Sequence, residues 1–205
     1  MMRGARRVAI SALLILTALC AGASAAAASP AWKFNGGSLS GTELLIGRST
    51  AFTLTIPGLT TKCGHALFLA KVENVAGTGK GEITYLPLFE CSTNSGFCTV
   101  SAISATGLPW PLHLTTVASS NYVVVEKVSI EILYEGEECA LGGTVVKVTG
   151  SAGGLYSNVN ETITFNSANS TATGTSLKAL GSKIELNAVF GIEAFGPHLL
   201  DSISI

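Results

Sequence analysis

YVVVEKVSIEILY, residues 122–134, is the longest run in the chain that reads as one β-strand. It is dense in β-branched residues, which are stiff at χ1 and favour extended backbone. With a period of two, Val124, Val128, Ile130 and Ile132 fall on one face and Lys127, Ser129 and Glu131 on the other, while Glu126 interrupts the inner face. Thr50 to Ile56 alternates cleanly, with Phe52, Leu54 and Ile56 against Thr53 and Thr55. Lys183 to Phe195 does the same, with Ile184, Leu186, Ala188, Phe190 and Ile192 on one side and a bulge signal at Gly191.

Shorter strand signals cover Glu43 to Ile46, His65 to Val72, Glu82 to Phe89, Cys98 to Thr106, Leu112 to Val117, Thr144 to Thr149 and Thr162 to Asn166. The total is about ten or eleven strands, separated by Gly, Ser and Asn turns. Ala66 to Val72 also fits a helical turn, but nothing beyond residue 28 sustains a 3.6-residue period. This pattern predicts an all-β, antiparallel sandwich or barrel-like fold. Without a composition break or internal repeat, residues 29–205 read as a single domain. Ser167 to Ser176 reads as a mobile loop, and the sequons at Asn160 and Asn169 as surface loops.

The amino-terminal stretch orders a basic MMRGARR, an apolar run from Val8 to Ala21 and a small-residue run offering cleavage after Ala25 or Ala28. That order predicts a cleaved export signal over residues 1–28, the apolar run being short for a membrane span. Arg6 and Arg7 lack the continuation of a twin-arginine signal, and Cys20, preceded by Leu19, leaves with the signal. Loss of Arg3, Arg6 and Arg7 takes the formal charge from −1 to −4. Arg48 and eight scattered lysines then remain, which excludes nucleic acid as a partner.

Cys63, Cys91, Cys98 and Cys139 are left, an even number that reads as disulfides in an exported chain, with three connectivities open. The short Ser-Thr-Asn-Ser-Gly-Phe connection favours Cys91–Cys98 with Cys63–Cys139. Loop-closure entropy then gives about 2.5 kcal/mol for the short bridge and about 4.5 kcal/mol for the long one.

Chemistry-bearing motifs are sparse. His65, His113 and His198 are the only histidines, and only His198 has a nearby aspartate, Asp201. Gly150-Ser151-Ala152-Gly153 is one residue short of a nucleophile elbow. Cys63 and His65 share a face if the strand is regular, as two metal ligands would, but an oxidising compartment assigns Cys63 to a disulfide. No methionine follows the signal to complete a copper site, and one aspartate is too few for a calcium loop. No metal or cofactor is therefore implied. Gly77-Thr78-Gly79-Lys80-Gly81-Glu82 reads as a hairpin turn, since a strand follows it where a phosphate loop needs a helix. Glu135, Glu137 and Glu138 read as a solvated turn. Of the aromatic residues Trp32, Trp110, Tyr85, Tyr122, Tyr134 and Tyr156, Trp110 sits between Pro109 and Pro111 in what reads as an exposed extended loop. With Tyr122 it forms the candidate ligand-binding pair.

The signal, Trp32-Lys33-Phe34-Asn35-Gly36, Cys63-Gly64, Glu90-Cys91, Cys98-Thr99-Val100 and the late Cys139 followed by Val148-Thr149-Gly150-Ser151 form one set. In these features the chain resembles secreted, β-rich, disulfide-containing proteins of high-GC Gram-positive bacteria. The resemblance implies a scaffold and carries over no catalytic residue. The leading expectation is an exported, non-enzymatic structural or interaction module of the cell surface or extracellular space, whose partner is cell-envelope polysaccharide or another surface protein. A carbohydrate-binding module using exposed aromatics ranks second and a secreted hydrolase third.

Overall fold

The computed structural model describes residues 29–195 and 202–205; the expected export signal, His198 and Asp201 lie outside them. The elements are β1 (Lys33–Phe34), β2 (Gly37–Ser38), β3 (Thr42–Ser49), β4 (Phe52–Ile56), β5 (Leu59–Val75), β6 (Thr78–Tyr85), β7 (Leu88–Thr93) and β8 (Thr99–Ala105). Then come β9 (Trp110–Val117), β10 (Ser120–Glu135), β11 (Val145–Ser157), β12 (Thr162–Phe165), α1 (Ser167–Ala172), β13 (Leu177–Ala179), β14 (Ser182–Ala194) and β15 (Ile203–Ser204).

All pairings are antiparallel, and twelve strands join in one sheet whose ladder returns on itself through β10 and β11. The fold is an all-β single domain, a barrel. Long strands β5, β10, β11 and β14 each serve both halves of it. At the other positions two short strands share one lane, β6 with β7, β9 with β8, β12 with β13, and β3 with β4. The ring therefore has eight positions, enough for side chains to fill the interior.

This construction explains where the sequence reading of the strands fails. Glu82 to Phe89 is two strands, because Leu86 and Pro87 break the lane between β6 and β7. Ala66 to Val72 is extended within β5, and pairing runs through Gly191 with no bulge. Ser167 to Ser176 holds α1 in place of the loop. Asn166 caps it by accepting from the Asn169 amide at 2.8 Å, and Asn169 is itself buried with its side chain donating to the Thr164 carbonyl at 2.6 Å.

Both of the longest strands change side-chain phase at mid-height. On β10 the register shifts between Val125 and Val128, so Glu126 and Lys127 together oppose Ser151 and both point outward. Val123 and Val125 are therefore the inward residues before the bulge, and Val128, Ile130, Ile132 and Tyr134 after it. Val124, expected inside, faces out. On β5, Thr61 and Cys63 are buried before Gly64, and Ala66, Phe68 and Ala70 after it. Each phase change falls where the strand exchanges one short neighbour for another. Phe68 itself is accommodated by Gly47 on the facing strand, where a Cβ would lie 2.1 Å from the ring.

The interior is predominantly apolar, with the Thr61 and Tyr134 hydroxyls paired inside it. Trp32, Trp110, Phe52, Phe68, Phe165 and Phe190 line a residual cavity of about 50 Å³. A separate small sheet, β15–β1–β2, closes the barrel end nearest Asn74. Trp32 enters the core there, its amide donating to Asn74 Oδ1 at 2.8 Å and its indole to the Lys80 carbonyl at 3.1 Å. Tyr156 meets Trp32 edge-on and donates its hydroxyl to the Ile203 carbonyl at 2.8 Å.

The disulfides are Cys63–Cys91 and Cys98–Cys139, which corrects the pairing expected from sequence. Cys63 and Cys91 are direct neighbours across the β5–β7 ladder, so Cys91 is taken before the chain reaches Cys98. Both bridges flank a seam: β7 pairs only with β5 and β8 only with β10, and no ladder joins β7 to β8. Two disulfides fit an oxidising, extracytoplasmic environment.

Two buried tyrosines set an alkaline limit. Burial raises the Tyr134 pKa above the ordinary 10.0, partly offset by the Thr61 hydrogen bond at 2.6 Å, and burial together with Glu161 raises that of Tyr156. Their neutral forms are favoured only in the fold, so this stability is complete below pH 10.0 and declines as pH rises toward the folded pKa values. Each should cost up to about 1.4 kcal/mol per pH unit above that point. Urea unfolding at pH 9 and pH 11 should show the loss, with a shallower slope in Tyr156→Phe; an unchanged midpoint would contradict it.

Candidate functional site

Both aromatic residues singled out in the sequence are removed from solvent. Trp110 is 2% exposed: it opens β9 opposite Ile83 and donates its indole to the Thr106 carbonyl at 2.9 Å. The flanking prolines place it in a strand and not in an exposed loop. Tyr122 faces outward on β10 but is 8% exposed, beside Thr115 and Leu155. Neither ring is open to stack on a ligand.

Among the described residues the exposed rings are Tyr85, Phe89, Phe97 and Phe195, and the first two lie together on β6 and β7. In Tyr85-Leu86-Pro87-Leu88-Phe89 the two leucines turn inward, leaving Tyr85 and Phe89 at 52% and 51% exposure. Across the ladder Tyr85 faces Leu69 and Phe89 faces His65, while the Leu67 amide donates to the Pro87 carbonyl at 3.2 Å. The result is an outward apolar strip of Leu67, Leu69, Tyr85, Pro87 and Phe89, about 13 Å from Tyr85 to Phe89 at strand rise. Polar pairs border it: the Arg48–Glu193 salt bridge, and His65 Nε2 with Glu90 Oε2 at 3.6 Å. The alternation around Leu86 and Leu88 is the sequence signal that identifies this strip.

Further round the ring, starting on β9, which pairs with β6, a polar groove of about 930 Å³ lies over the β10 bulge. Its floor is the outer face of β9, β10 and β11. His113 sits beside Val124, Glu126 and Lys127 oppose Ser151, and Thr149 lies between Ser129 and Lys178. One wall is the chain after α1. A Cβ on Gly153 would lie 1.9 Å from Thr173 Oγ1, and one on Gly150 2.2 Å from the Ser176 carbonyl, so these glycines let the wall settle on the strand. His113 Nδ1 is 3.5 Å from Glu126 Oε1.

The catalytic and metal motifs are dispersed. Among the described residues no serine or threonine hydroxyl is hydrogen-bonded to His113, and no group of three His, Cys, Asp or Glu is placed to hold a metal. The phase change at Gly64 separates Cys63, buried in a disulfide, from solvent-facing His65, so the two do not share a face. The β5–β6 hairpin turns at Ala76 and Gly77; Thr78 to Glu82, expected as part of the turn, are paired with β5 as the start of β6. No helix among the described residues is long and apolar enough to cross a membrane.

Fold and surface together define a disulfide-stapled β-barrel with an apolar interior and two contrasting outer faces. No protein-family model, curated protein or solved structure matches the chain.

Proposed function

We propose that this chain is an exported, non-enzymatic interaction module that docks another surface protein through the strip of Leu67, Leu69, Tyr85, Pro87 and Phe89. The supporting observation is the composition of that strip: two half-exposed rings and aliphatic side chains side by side on β5, β6 and β7, bordered by the Arg48–Glu193 ion pair and by His65 with Glu90. An apolar aromatic centre with a charged rim is the anatomy of a protein–protein interface. Aliphatic neighbours on both sides of the rings favour a protein surface over a sugar as the partner. Export is supported by the signal-like residues 1–28 and by the two disulfides.

A photo-crosslinking amino acid placed at position 85 or 89 tests this in the cells that make the protein. One discrete adduct of the same mass is expected from both positions, and none from Val159, which is 92% exposed and far along the chain. Its formation should fail when the other ring is replaced by serine. No adduct, or the same pattern from Val159, would reject the docking surface.

A further inference from the structure

We propose that the groove over the β10 bulge is a binding site for a carboxylated polysaccharide. The site shares no residue with the aromatic strip: it lies on β9, β10, β11 and β13, and the strip on β5, β6 and β7. Three features carry it. First, the groove is of ligand-site size, open at the surface and built from several strands, so its shape is held by the ladder.

Second, its charge runs against that of the chain. Lys127, Lys178 and His113 line it with a single carboxylate, Glu126, and that carboxylate already faces His113 at 3.5 Å. Two ammonium groups are thereby available to an anion within a chain of net charge −1. Third, the remaining polar lining is hydroxyl: Thr115, Thr149, Ser151 and Ser176 face the groove, while Ser129, Thr173 and Thr175 are already hydrogen-bonded to Thr106, Asn169 and Ser170. Hydroxyls both donate and accept, as the hydroxyls of a sugar do. Ammonium and hydroxyl groups together match a chain that carries carboxylates on sugar rings.

The bulge is the device that makes the site. A regular strand would turn one of Glu126 and Lys127 into the core; the two-against-one register turns both into the groove. It holds Lys127 at φ 54°, a left-handed conformation that costs a non-glycine residue energy. Strained backbone of this kind collects at functional sites.

Calorimetric titration of the full chain with polygalacturonate, dextran and poly-glutamate tests the assignment. Saturable binding of polygalacturonate is expected, weakening with added salt, with none of dextran and at least about tenfold weaker binding of poly-glutamate. Lys127→Gln with Lys178→Gln should weaken polygalacturonate binding at least about tenfold. Lys62→Gln with Lys71→Gln, which removes the same charge elsewhere, should leave it unchanged. Absence of polygalacturonate binding, equal binding of poly-glutamate, or equal losses in the two double variants would overturn the site. Crosslinking at positions 85 and 89 is unaffected by any of these outcomes, so the two surfaces fail or stand separately.

Discussion

Replacing all four bridged cysteines by serine is expected to remove about 7 kcal/mol of stability, enough to leave most of the chain unfolded at 37 °C. The bridges close loops with sequence separations of 28 and 41, which do not overlap, so their effects on the unfolded chain add. Chain entropy assigns about 3.6 kcal/mol to the first and about 3.9 kcal/mol to the second. Loss of either bridge alone should therefore lower the melting temperature by a similar amount, roughly 10 °C. Digestion without reductant should recover the peptides of Cys63 and Cys91 linked, and those of Cys98 and Cys139. A large difference between the two single-bridge variants, or a recovered Cys91–Cys98 link, would contradict the assignment. The losses are also expected to be local in origin. The seam between β7 and β8 has no ladder, so the bridges are the cross-links that hold its two sides to β5 and to the turn after β10.

Two single-residue deletions only two positions apart, Lys127 and Ser129, should differ more sharply than any pair of substitutions. Removing Lys127 joins inward Val125, outward Glu126 and inward Val128 in regular alternation, with Glu126 opposite Ser151. The core is kept and the left-handed residue is lost, so stability should change by no more than about 1 kcal/mol. Removing Ser129 has no such solution. Either Ile130, Ile132 and Tyr134 turn to solvent, or the phase recovers upstream by turning Lys127 into the apolar interior. Exposing the three buried side chains costs about 6 kcal/mol at roughly 2 kcal/mol each, and burying an unpaired ammonium costs at least several kcal/mol. The first variant should melt cooperatively within a few degrees of the parent; the second should give no cooperative transition. Similar behaviour of the two would show that the phase of β10 is not what fixes the barrel.

The class of fold is legible because it rests on local facts. Regular alternation in Thr50 to Ile56 and Lys183 to Phe195 places β4 and β14 correctly, and both strands keep one phase throughout. Val124 and His65 are misread for a single reason: each lies beside a phase change that the partner strands impose, and a period of two carries no record of it. The disulfide pairing fails similarly. Cys91 and Cys98 are close in sequence, but the cross-strand neighbour of Cys91 is set by the register of β5 with β7. The prolines beside Trp110 point to an exposed loop, yet the indole fits the core because the Thr106 carbonyl accepts its only donor. The groove is not legible in the sequence because His113, Glu126, Lys127 and Lys178 come from three strands and carry no motif one by one.

The small sheet at the barrel end joins the beginning of the described chain to its last residues: Lys33 pairs with Ser204 and Phe34 with Ile203. Glu161 and Asn158 accept the amides of Ile203 and Ile205 at 3.0 and 2.9 Å. A polypeptide delivered from one end to the other cannot complete this closure until Ile205 has emerged, however early Trp32 appears. Without β15 the Tyr156 hydroxyl loses its acceptor and the barrel end beside Trp32 loses its cover. Sequence-distant residues 32–34 and 203–205 thus latch one another, and removing Ile203 to Ile205 should lower the melting temperature and open Trp32 to a fluorescence quencher.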